Sequence, residues 1–201
     1  MRLGRRAAIG GVATALATRG AQARDWPEKI VTWVMPFPAG GPSDGFARAL
    51  AEMVGAELGQ TVVIDNKSGA GGNLGAAVVS HAAPDGYTML VGFTGNAYAS
   101  LIYANPGFDL LRDLAPISAI DRVQSVLLVN PRRLDVATLG QFLDKARAKP
   151  DSIDMASGGL GTVGHLAIEL LQTDARIQLR HVPYRGGAPA LQDLLGGQVA
   201  L

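Results

Sequence analysis

The sequence predicts an α/β fold built on parallel strands, and three observations carry that expectation. Short apolar runs alternate with stretches whose apolar residues recur three and four apart, and the loop after each of the first three runs is rich in Gly, Ser, Thr or Asn. Of the 201 residues, 48% are hydrophobic, enough to bury a core spread over one large or two small domains. Loops of that composition line up at the carboxyl edge of an open parallel sheet, where such folds bind ligands.

The first 23 residues, MRLGRRAAIGGVATALATRGAQA, stand outside the pattern. A basic start, a small apolar run from Ala7 to Ala17, and Ala21-Gln22-Ala23 before Arg24 read as a secretory signal with an A-x-A cleavage site. The run is too short to remain as a membrane-spanning helix. Arg5-Arg6 leaves both the general secretory and the twin-arginine route open. Cleavage removes four arginines and no acid, leaving 14 basic against 17 acidic side chains, a formal charge of −3. That balance, with only 5% aromatic residues, argues against a nucleic-acid partner. The chain has no cysteine, so disulfides and thiol chemistry are excluded, and an exported globule of this kind suits a bacterial periplasm.

Within the mature chain the elements follow in order. Ile30 to Met35 predicts a strand, and Ala47, Leu50, Ala51, Val54 and Leu58 mark one face of the helix after it. Thr61 to Ile64 is the second strand, followed by DNKSGAGGNLG and a helix from Leu74 to His81. The turn Pro84-Asp85-Gly86 delivers Tyr87 to Phe93 as a third strand, and Thr94-Gly95-Asn96 opens a short helix through Leu101. Two further apolar segments, 115–120 and 125–129, carry the chain across from a first domain (24–122) to a second (123–201). There Thr138 caps a helix to Ala148, Ile153 to Ala156 is a strand, and His165 to Leu171 is a helix. Ile177 to Val182 and a helix near Ala188 to Leu195, stopped by Gly196-Gly197, complete another unit. Val199 to Leu201 reads as the start of one more buried strand, so the chain is expected to be a shortened form of a longer protein.

Three loops carry candidate chemistry. In PFPAGGPSDG, Gly40-Gly41 leaves the backbone bare just before a helix, so an anion can approach its N–H groups and the positive end of the dipole. A turn capped by Ser43 or Asp44 explains the same residues without a ligand. SGAGGNLG (68–75) misses dinucleotide spacing because Leu74 stands where the last glycine belongs. Gly159, Gly161 and Gly164 do match G-x-G-x-x-G between a strand and a helix. Arg185, about 20 residues on, is suited to an NADP phosphate, which leaves an NADP-dependent oxidoreductase as the alternative reading. His165 and Glu169 share a helix face without a third metal ligand at a telling spacing. No P-loop pattern occurs, so P-loop phosphoryl transfer has no visible machinery.

Taken as an ordered set, PFPAGGPSDGFAR, VIDNKSGAGGNLG, PDGYTML, VNPRRLDVATLGQFLDKARAKP, SGGLGTVGHLAIELL and HVPYRGGAPALQDLLGGQVAL resemble one family. It is the substrate-binding receptors of tripartite tricarboxylate transporters, the Bug-type periplasmic solute-binding proteins. The resemblance covers nearly all of residues 29–201. It implies a two-domain periplasmic-binding-protein-like (type II) α/β fold, here incomplete at the C-terminus, with a cleft that closes on a small organic acid. It further implies no catalysis, no cofactor and no metal, and membrane subunits of a transporter as partners. Carried over by position, the ligand contacts would be Phe37, Ala39, Gly40, Asp44 and Thr94 from the first domain. Ser157, Gly161, Thr162 and His165 would supply those of the second. The sequence departs from the family after Thr94, where Asn96 and Tyr98 replace a small polar run with histidine.

Overall fold

The computed structural model describes residues 26–201, so the signal segment 1–23 lies outside the described residues. The chain forms two parallel sheets. In the first, β1 (Val31–Met35) lies between β2 (Val62–Asn66) and β3 (Thr88–Leu90). Val31 pairs with Val62, and Thr32 with Thr88. Parallel neighbours need crossovers, which α1 (Pro42–Leu58) and α2 (Asn73–Ser80) supply. Because β1 has one neighbour on each side, the chain reverses direction across the sheet at the carboxyl end of β1, which is where ligands gather in open α/β folds.

Helix α1 follows the expected stripe: Ala47 and Ala51 are buried, and their small side chains let the helix lie close over the sheet. It ends at Gly59 in the left-handed conformation, whose N–H donates to Gly55 O. Met35, Ala47 and Val91 form the core here, with Trp33, Phe37, Ile64 and Phe93 packed against them. Strand β3 is shorter than the sequence predicts. Val91 N–H still donates to Val34 O at 3.0 Å, but Phe93 N–H turns to the Asn96 side chain at 2.9 Å, and that local bond ends the ladder. Three short helices follow, α3 (Thr94–Ala97), α4 (Ala99–Ile102) and α5 (Leu110–Asp113).

Residues 115–129 take no regular structure, and their apolar side chains are largely exposed, Ile117 by 77% and Val126 by 76%. Among the described residues no strand lies beside them to form a ladder, so apolar content alone leaves this segment irregular and unpaired.

The second sheet pairs β4 (Asp154–Ser157) with β5 (Arg180–Pro183), Met155 opposite His181. Helix α6 (Leu139–Ala148) is capped by the Thr138 hydroxyl, which accepts from Gln141 N–H. Helix α7 (Val163–Ala175) runs longer at both ends than the periodicity predicts and stops at Arg176, which adopts positive φ. Strand β5 starts late because the Gln172 side chain takes the Leu179 N–H at 2.6 Å. Helix α8 (Gly187–Gly196) ends at left-handed Gly197, as expected. Leu201 then lies beside β4 in parallel register, donating to Asp154 O and accepting from Ala156 N–H. Phe142, Ala146, Met155, Ile168 and Leu201 are buried together in this second core.

Candidate functional site

The loop leaving β1 is held by a buried carboxylate. Asp44, in the first turn of α1, is 3% exposed, and each of its oxygens accepts two hydrogen bonds. Oδ1 receives Arg48 Nη2 at 3.0 Å and Asn66 Nδ2 at 2.8 Å; Oδ2 receives Arg48 Nε at 2.9 Å and Gly40 N–H at 3.0 Å. Asn66, at the end of β2, also donates to Phe37 O, so the carboxylate ties together the ends of two strands and the loop between them. The Arg48 hydrogen bonds outweigh burial and hold the Asp44 carboxyl at about 2.

Asp44 uses its oxygens to organise the loop and leaves the start of α1 without a side-chain cap. Pro42 has no N–H, and the amides of Ser43 and Asp44 have no acceptor among the described residues. The same holds at α7. Its N-cap, Thr162, turns its hydroxyl to Gly159 O at 2.8 Å, and the amides of Val163 and Gly164 are without acceptors among the described residues. It holds again at α8, where Gly186 stands at the N-cap and the amides of Gly187 and Ala188 are open.

All three uncapped helix starts meet at one cavity of about 270 Å³ between the two sheets. Phe37 and Phe93, at the exits of β1 and β3, stand edge to face across its wall with ring centroids 4.7 Å apart. Among the described residues no lysine or arginine lines it, so its attraction for an anion comes from peptide dipoles and open N–H groups. A larger open groove of about 830 Å³ runs between α1 and β2, away from the carboxyl ends of β1 and β3.

The two halves touch closely around the cavity. Tyr103 Oη donates to Leu160 O at 2.8 Å, and a Cβ at Gly71 would lie 2.4 Å from that same carbonyl. A Cβ at Gly41 would meet Ala188 Cβ at 3.5 Å, and one at Gly95 would meet Gly161 O at 3.2 Å. Glycines on both sides therefore let the loops approach backbone to backbone.

Of the residues singled out in the sequence, Phe37, Asp44 and Thr162 line the cavity. Ala39 and Gly40 are exposed beside it, and the Gly40 amide expected to face an anion is committed to Asp44. Thr94 is exposed, and its neighbours Phe93 and Gly95 form the wall instead. Ser157 is buried behind the loop, where its hydroxyl lies 2.6 Å from His181 Nε2 and accepts from Gly159 N–H. Gly161 N–H donates to His165 Nδ1, and the His165 ring stacks on His181 at 4.3 Å. These four therefore shape the loop after β4, while its helix start faces the cavity.

The same bonds bear on the G-x-G-x-x-G motif. The amides of Gly159, Gly161 and Thr162 are all engaged within the loop, so of its donors those of Val163 and Gly164, at the start of α7, stay open to an anion. Sequence reasoning missed the α8 mouth. Gly186-Gly187 followed by Pro189 repeats the signal of Gly40-Gly41-Pro42 and was available to find it.

Residues 46–201 match the family model described as tripartite tricarboxylate transporter family receptor. Protein BugT of Bordetella pertussis is 36% identical over 192 residues, which cover 94% of this chain and 58% of that protein. Among solved structures, Rpa4515 of R. palustris, solved with adipate, superposes with a TM-score of 0.84 at 37% identity, over 88% of this chain and 59% of the other. MatC of Rhodopseudomonas palustris, solved with bound malate, gives 0.76 at 32% identity, over 87% and 60%. The chain thus spans about three fifths of the length of the relatives it matches, and its fold is the two-domain periplasmic-binding-protein-like (type II) α/β architecture. Its ordered motifs, its fold and the family match agree: the chain belongs to the family of tripartite tricarboxylate transporter receptors.

Proposed function

We propose that the protein is a periplasmic solute-binding receptor that captures a small di- or tricarboxylate, or a related organic acid, and presents it to the membrane subunits of a tripartite tricarboxylate-type transporter. The observation that carries this reading is the convergence of three uncapped helix starts on one cavity that no cationic side chain among the described residues lines. Such a site holds a carboxylate through main-chain donors. It needs no nucleophile and no general base.

Relatives with adipate and with malate in their solved structures support an acid of this class. The lobes would be residues 24–122 and 123–201, the second supplying α7 and α8. A ligand bound to both lobes stabilises the closed arrangement, which is the form a membrane partner can distinguish. Phe37, Ala39, Gly40, Asp44, Thr94, Ser157, Gly161, Thr162 and His165 serve the site in two ways. Phe37, Asp44 and Thr162 reach the ligand cavity, Gly40, Ser157, Gly161 and His165 hold the loops that form it, and Ala39 and Thr94 stand exposed beside it. The signal segment supplies the route to the periplasm.

Titration calorimetry, or a thermal-shift screen of the chain against a panel of organic acids, tests the proposal. Saturable binding of at least one acid is expected, and no response to any acid overturns it. NADPH, which a receptor for small acids should ignore, is expected to give no fluorescence change.

A further inference from the structure

The cavity wall between the helix starts is built from Phe37, Pro38, Pro42, Phe93, Val163 and Ala188, with backbone at the glycines. Its polar side chains are few. Among the described residues Asp44 is the one charged residue in the lining, and all four of its acceptor positions are filled from Arg48, Asn66 and Gly40. The Thr162 hydroxyl donates to Gly159 O. Only the Ser43 hydroxyl has no intramolecular partner among the described residues, and it sits beside the open amides of α1.

From this distribution we infer that the site selects a carboxylate with an apolar body and discriminates against the same acid carrying a hydroxyl or ammonium group. The inference rests on the receptor reading above and deepens it by naming the ligand class. The charged ends of the ligand meet main-chain donors. Its middle meets rings and methyl groups, which satisfy a methylene chain or an aromatic ring. A hydroxyl or ammonium on that middle gives up its water and, away from Ser43 at the α1 end, meets no free side-chain partner on this wall, so its desolvation is uncompensated. An ammonium has no free carboxylate to pair with, because Asp44 is already neutralised by Arg48.

Matched acids of equal length test the inference. Calorimetric titration of the full chain compares succinate with malate and aspartate, glutarate with 2-hydroxyglutarate and glutamate, and adipate with 2-hydroxyadipate and 2-aminoadipate. Within whichever length binds, the unsubstituted acid is expected to bind about tenfold tighter or more. A hydroxy or amino acid that binds as tightly as its unsubstituted partner overturns this inference and leaves the receptor reading standing. Failure of every acid to bind overturns both. Val163→Thr, which adds a hydroxyl to the wall at nearly constant volume and leaves the α7 amides in place, is expected to narrow the gap several-fold. An unchanged ratio in that variant shows that the discrimination does not arise at this wall and overturns the assignment.

Discussion

Arg48 grips the buried carboxylate of Asp44 through two parallel hydrogen bonds, Nε to Oδ2 at 2.9 Å and Nη2 to Oδ1 at 3.0 Å. Asp44→Asn keeps the size of the side chain but sets an NH2 group against one arm of the guanidinium and removes the charge. A loss of about 1 to 2 kcal/mol of stability is expected in urea titrations at pH 7, discounted because Arg48 is half exposed. The pH dependence has a definite sign. The carboxyl is held at about 2 against an ordinary 3.8, so its contribution is complete above pH 3.8 and disappears as the pH falls toward 2. Asp44→Asn should flatten that acid limb; a variant with the wild-type profile rules out the pair as its source.

The contact between Tyr103 Oη and Leu160 O spans the two halves of the molecule at 2.8 Å. Tyr103→Phe deletes one neutral hydrogen bond and no packing. Because Leu160 is exposed, its carbonyl rehydrates when the halves part, so a loss of about 0.5 to 1.5 kcal/mol from the closed form is expected. This corresponds to an affinity for the bound acid lowered several-fold at unchanged unfolding midpoint. Small-angle scattering of the unliganded variant should show a larger radius of gyration. If affinity and radius both match the parent, the bond does not hold the halves together.

Gly71 sits at φ 64° with a virtual Cβ 2.4 Å from the Leu160 carbonyl oxygen, so Gly71→Ala places a methyl group where the two loops meet. The left-handed backbone alone costs the alanine about 1 kcal/mol. In the receptor proposed above, which opens and closes, the steric conflict falls on the closed arrangement and adds to that cost. Ligand affinity is therefore expected to fall by more than about tenfold, well beyond the fold change that a 1 kcal/mol loss of stability produces. Equal losses in denaturation and in titration would show that the glycine serves the fold alone.

What the sequence made legible follows the range of each interaction. The starts of α1 and α7 announce themselves through Gly40-Gly41 and Gly159 to Gly164, and the caps at Thr138 and Gly197 are local signals of the same kind. The saturation of Asp44 was hidden, because Asn66 lies 22 residues away and only the pairing of β1 with β2 brings it close. Tyr103 and Leu160 are 57 residues apart and belong to no periodic pattern, so no window of sequence pairs them. The shortening of β3 turns on one side chain, Asn96, competing for a ladder amide.

His165 and His181 stack with ring centroids 4.3 Å apart and 24° between planes, behind the loop that positions α7. His181 comes from β5 and touches Ser157 Oγ; His165 comes from α7 and accepts from Gly161 N–H. Burial first, and then the neighbouring His165, push the His181 imidazole below its ordinary 6.5, while Glu169 on α7 pulls it the other way. A histidine depressed in the folded state takes up its proton more readily once unfolded. Its stabilising effect is thus present above pH 6.5 and declines as the pH drops from there through the lowered folded value. The midpoint of thermal unfolding should accordingly fall between pH 7.5 and 5, and His181→Gln, which retains a hydrogen-bonding partner for Ser157, should remove much of that slope. Should the slope survive in His181→Gln, another group must titrate in that window and the stacked pair is not its origin.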